Sequence, residues 1–256
     1  MTSHLRLPLA AAAALAATTA AAAPQSAAVD IDAHFTSRGV ASVLGPIGKL
    51  VGAPSGSYND SQTTKSASES VPAAEAYPTP TAFANGQMLS SHVTASFGVD
   101  TRSSEADTGL TTANVSLNLN PPPPTGQVPQ PWLSLTVSQA SADASFSQLF
   151  VGATSRNYAT GSAKFGGFTA FGQFLGSTRV SYSGSPPPNT VVYSSPTVTI
   201  TLNRQLQTGI ISCSPDPCTF TPTSIDVAAV DVELNKADFR GAKVSGHILL
   251  GDNKAR

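Results

Sequence analysis

Apolar and polar residues alternate in short windows along most of the chain. Val93, Ala95, Phe97 and Val99 fall on one face, with Thr94, Ser96 and Gly98 on the other, the period-two signature of a half-buried strand. Val115, Leu117 and Leu119 repeat it against Asn114, Ser116 and Asn118, and Leu133, Leu135 and Val137 repeat it again. Ala140, Ala142, Ala144 and Phe146 continue one position out of phase, which predicts a bulge or a strand break after Val137. Val198, Ile200 and Leu202 against Thr197, Thr199 and Thr201 form the cleanest strand. Ile225, Val227 and Ala229 pass directly into Val230, Val232 and Leu234. That switch of phase within one strand predicts a bulge or a crossing between sheets. Val244, Ile248 and Leu250 close the pattern.

Beyond the first residues no window has a helical period. The expectation is all-β: an antiparallel β-sandwich or barrel of about ten short strands with long polar loops. Asp30–Phe35 offers one more strand phase, while Gly39, Gly45, Pro46 and Gly48 break any helix after it. Residues 53–87, rich in Ser, Thr, Ala, Gly and Pro, read as a long loop. Residues 120–131, with four successive prolines, read as an extended surface crossing or a hinge. Phe165, Phe168, Phe171 and Phe174 recur every third residue around Gly166, Gly167 and Gly172. A buried aromatic cluster is the expected outcome, an exposed stacking platform the alternative.

The first 28 residues carry an address. Arg6 precedes the apolar run Leu7–Leu15, and small residues follow, as in a secretory signal peptide. Cleavage fits after Ala22, Ala23 or Ala28. Residues 29–256 are then a single β-rich domain, secreted or periplasmic, with no membrane insertion after processing. Cys213 and Cys218, spaced C-S-P-D-P-C, read as a disulfide in an exported chain. A zinc site needs about four ligands, and His34, His92 and His247 are far apart in sequence.

Charge narrows the function classes. Lys and Arg number 14, Asp and Glu 15, and charged residues are only 11% of the chain. With no basic run, nucleic acid is not an expected partner. There is no G-x-S-x-G and no phosphate-binding loop. His92 and His247 read as surface or edge residues. Asp226 and Asp231 flank the phase switch and Glu233 shares a face with Asp231. A carboxylate pair of that kind serves glycoside hydrolysis, but a solvated strand face is the plainer reading. Asp30 and Asp32 also share a face and are too few for a calcium site. No catalytic, cofactor-binding or metal-binding residue is expected, and the protein is not expected to be an enzyme.

One binding chemistry stays open. Trp132, Tyr158, Tyr182 and Tyr193 could stack on sugar rings if they shared an exposed face. The leading expectation is an exported, non-catalytic structural or adhesive domain. Its partners would be glycans or other cell-surface components. A carbohydrate-binding module is the alternative, and a hydrolase using Asp226, Asp231 or Glu233 comes third.

The second half also has an ordered set of pieces. They are Thr160-Gly-Ser-Ala-Lys-Phe-Gly-Gly-Phe, Gly176-Ser-Thr-Arg-Val, Pro188-Asn-Thr-Val-Val, Val198-Thr-Ile-Thr-Leu-Asn-Arg-Gln, Ile225-Asp-Val-Ala-Ala-Val-Asp-Val and Gly246-His-Ile-Leu-Leu-Gly. Over residues 160–251 this resembles the bacterial secreted proteins of the choice-of-anchor P family. The resemblance implies an exported β-rich domain, usually tethered to the cell surface, and no particular activity. The tail Gly251-Asp-Asn-Lys-Ala-Arg256 departs from the anchored pattern, so free secretion or a periplasmic home is expected.

Overall fold

The structure, a computed structural model, describes residues 25–36, 49–52, 64–79, 82–98, 100–117, 131–151, 154–176, 178–213, 217–239 and 242–256. The strands are β1 (Gln25–Thr36), β2 (Lys49–Gly52), β3 (Thr64–Thr79), β4 (Ala82–Phe97), β5 (Thr101–Leu117), β6 (Leu133–Val151) and β7 (Thr154–Phe171). A single 3-10 turn, Gln173–Leu175, follows, and then β8 (Val180–Gly184), β9 (Thr190–Ser194), β10 (Val198–Ser212), β11 (Thr219–Phe239) and β12 (Ala242–Ala255). They form two six-stranded antiparallel sheets, ordered β2-β1-β12-β11-β10-β9 and β3-β4-β5-β6-β7-β8.

The chain starts in the first sheet and crosses to lay down β3 to β8 as an up-and-down meander. It then returns for β9 to β12, and β12 docks on β1 with Gln25 opposite Lys254. The sheets stack with β11 over β6 and β7, β12 over β5 and β6, and β1 over β4 and β5. This is an open sandwich, not a closed barrel. The 53–87 loop is corrected, because Thr64–Thr79 and Ala82–Phe97 pair as a hairpin. Strand pairing is made by backbone N–H and C=O groups and does not require an apolar period. The leader through Pro24 and residues 120–130 of the Pro-rich crossing lie outside the described residues.

The strands are also longer than expected. The short windows of alternation are halves of long strands, joined across a crease. Asn203 (φ 50°) and Gly251 (φ 61°) take left-handed conformations between the register rows Leu202–Val230–Leu250 and Arg204–Ala228–Asp252. Each strand therefore presents the other parity to the core beyond that line. On β11 both Ala229 and Val230 are buried, and on β12 both Leu250 and Gly251. In the second sheet Gln139 (φ 48°) does the same for β6, so Val137 and Ala140 both point inward. The two phase slips in the sequence fall at this crease, where the strand register itself runs on unbroken.

The crease divides the core. On one side lie Leu117, Leu133, Leu135, Phe168, Ile200, Leu202, Val232, Leu234 and Ile248; we call this the leucine half. On the other lie Ala106, Thr108, Ala142, Ala144, Ala163, Val227, Asn253 and Ala255; this is the alanine half. The phenylalanine repeat has a different cause, a register shift of β7 against β8. Phe165 and Phe168 are both buried because the strand shifts register between them, at Gly166 and Gly167. Phe171 lies under the Arg179 guanidinium at 5.7 Å, and Phe174 leaves the strand in the 3-10 turn to pack on Trp132.

Candidate functional site

The densest group of titratable side chains sits on the outer face of the first sheet, where β10, β11 and β12 run side by side. Asp231 on β11 is its centre. Leu202 faces the core, so unbroken alternation would send Arg204 inward as well. The left-handed Asn203 shifts the phase and turns Arg204 outward. The Arg204 Nε then lies 3.0 Å from Asp231 Oδ2 as an ion pair. From β12, His247 Nδ1 donates to Asp231 Oδ1 at 2.8 Å. Both oxygens of the carboxylate are thereby engaged.

Asp231 is itself buried, with 8% of its side chain exposed. This corrects the expected solvated strand face, which holds only for exposed Glu233. The stems of the two flanking strands' side chains cover the carboxylate, and their charges offset the desolvation. His247 keeps about two-fifths of its side chain in water. Its pKa is raised above 6.5, chiefly by the hydrogen bond to Asp231. Burial opposes the rise, the negative charges of Asp231 and Glu233 add to it, and the Arg204 charge opposes it.

Three further pairs repeat the pattern. Past Gly251 the even positions of β12 face outward, so Lys254 meets Asp226 at 2.7 Å across the β11–β12 rung. On the second sheet His92 Nδ1 donates to Asp107 Oδ2 at 3.0 Å, and Ser162 donates to Asp143 at 2.6 Å. Each pair joins neighbouring strands at directly opposed positions. Among the described residues no three His, Cys, Asp or Glu side chains are placed to hold a metal ion.

The four rings proposed for sugar stacking are not brought together. Trp132 packs on Phe174 with centroids 5.4 Å apart, and Tyr182 stands edge-on to Phe165 at 6.4 Å. Trp132, Tyr182 and Tyr193 all pack against the core, and of the four only Tyr158 is exposed. Tyr182 does border a shallow, open depression with Gly167, Thr169, Ser181 and Ser183. The disulfide is present, joining Cys213 and Cys218 at the tip of the β10–β11 hairpin.

No protein-family model matches the chain, and no curated protein or solved structure matches it either. The site therefore stands on its own geometry. Arg204 is the member that sequence reasoning missed, because unbroken alternation from Leu202 would send it into the core. The available signal was Leu202-Asn203-Arg204, since Asn is a residue that tolerates the left-handed turn.

Proposed function

We propose that the protein is an exported, non-catalytic domain with a structural or adhesive role. The observation that carries this reading is the use made of its ionisable groups. Asp231, Asp226 and Asp107 each spend their charge on a cation or ring N–H from the adjacent strand. Groups so engaged hold long strands side by side. A general acid or a nucleophile needs instead a free partner and a concave pocket. The hairpin disulfide supports an oxidising compartment, and the resemblance to choice-of-anchor P proteins supports export. A cut after Ala22 or Ala23 would leave β1 whole, whereas one after Ala28 would remove its first four residues.

The test uses Asp231→Asn. The variant should melt at lower temperature than the parent, and the parent should turn over no polysaccharide, ester or peptide substrate. Turnover by the parent that Asp231→Asn abolishes without loss of stability would overturn the proposal.

A further inference from the structure

The β10–β11 hairpin runs past both of its neighbours. On one side β9 pairs only with Thr199–Leu202 of β10. Asn189 extends that cover two residues, donating its N–H to Asn203 O and accepting the Gln205 N–H at its Oδ1, both at 2.8 Å. On the other side β12 pairs with β11 only from Ile225 onward. Residues 206–213 and 217–223 are thus a two-stranded arm, closed at its tip by Cys213–Cys218. A ribbon of that kind is marginal in water by itself, and this one exposes Leu206, Ile210, Ile211 and Phe220, the isoleucines by 62% and 68%.

The two edges of the arm differ. The β11 edge is blunted: Pro222 has no N–H, and Asn157 Nδ2 takes the Pro222 carbonyl at 2.8 Å. The register of the arm shifts between Thr208 and Gly209, but the β10 edge itself carries neither proline nor charge. Alternation from Gln205, whose N–H faces that side, sends the backbone N–H and C=O of Gln207, Gly209 and Ile211 to the open edge. Among the described residues no strand pairs with them there. Gln205–Ser212 contains no charge and no proline, the devices by which exposed edges are usually protected. Between Gln205 and Ile225 the only ionisable side chain outside the disulfide is Asp216.

We infer that the open β10 edge, centred on Gly209, is a self-association surface that pairs antiparallel with the same edge of a second copy of this chain. The exposed side chains demand an apolar partner, and the unpaired backbone demands one that brings donors and acceptors. A lipid surface meets only the first demand, because unsatisfied peptide groups are costly in hydrocarbon. A second β10 edge meets both. An antiparallel pair is self-complementary under a two-fold axis, and two uncharged arms meet without repulsion. The inference rests on the structural or adhesive reading for its meaning, but its test is independent of that reading.

Sedimentation velocity of the oxidised full chain across a concentration series should show a monomer–dimer equilibrium. Ile211→Lys, with unchanged circular dichroism, should weaken it by about tenfold or more, as edge lysines do. Amide exchange at Gln207, Gly209 and Ile211 should slow with rising concentration. A monomer at every concentration would overturn the inference, as would a dimer indifferent to Ile211→Lys. So would a monomer that pellets with phosphatidylcholine vesicles. None of these outcomes bears on turnover by the parent or by Asp231→Asn, so the two proposals fail separately.

Discussion

The leucine half and the alanine half of the sandwich are built from the same strands in the same order, yet they are held together differently. In the leucine half, large side chains from both sheets fill the space between them, and Leu135, Ile200 and Leu202 are fully buried. Burial of such side chains contributes roughly 1.5–3 kcal/mol each. In the alanine half most core residues are small, Ile225 and Phe146 apart, and polar side chains reach across to the opposite backbone. The fully buried Asn253 donates to the Ala142 carbonyl at 3.0 Å and to Thr108 Oγ1 at 3.1 Å. Gln205 reaches Gly161 O at 2.7 Å, and Ser104 exchanges hydrogen bonds with the backbone of Arg256. Glycine permits the approach: a Cβ on Gly161 would lie 2.3 Å from a Val227 methyl, and Gly251 combines φ 61° with Ala229 and Ala142 as neighbours. The lesson is that a chain with few large apolar residues can extend a sandwich by bringing the sheets close and hydrogen-bonding them.

This contrast can be broken from either side. Leu135→Ala should have the largest effect, a loss of roughly 2–5 kcal/mol in chemical denaturation. The reverse change in the other half, Ala142→Leu, should cost about 1–3 kcal/mol, since there is no room between the sheets. If Ala142→Leu were neutral, the close approach would be refuted. Asn253→Ala should cost roughly 1–3 kcal/mol by leaving the Ala142 carbonyl without that donor. Hydrogen exchange should localise the loss to β5, β6 and β12 on the alanine side of the crease.

The smallest effect concerns the outer face of β10–β12. The folded pKa of His247 is raised, so its protonated form is favoured by folding. The stability it adds is complete below pH 6.5 and is lost as pH rises through the raised value. Solvent screening of this half-exposed ring keeps the effect small. The difference in melting temperature between the parent and His247→Gln should shrink as pH rises above neutral. A constant difference would sink the assignment.

The fold class was legible because period two is a local property. Each strand's alternation is written in consecutive residues, and so are the phase slips at Val137–Ala140 and Ala229–Val230. The disulfide was legible for the same reason: its five-residue separation leaves little choice of partner. The β3–β4 hairpin was legible only at Val93–Phe97, because the rest of it shows no regular apolar period and the pairing is made by backbone. The candidate site was legible only in part. Asp231 was visible as a carboxylate at a phase switch, but its burial depends on Arg204 and His247, contributed by β10 and β12.

What the sequence alone determined is therefore the alternation, the positions of the phase slips, the paired cysteines and the lack of charge along residues 205–212. What only the tertiary structure decided is which of those features face one another. The crease lines up Asn203, Ala229 and Gly251 across three strands and turns Arg204 and Lys254 outward, and the β10 edge of the β10–β11 arm has no pairing strand among the described residues. Those outcomes follow from strand register and sheet order, which are set by contacts distant in sequence. Asn253, for example, is satisfied by Thr108, which lies 145 residues away along the chain.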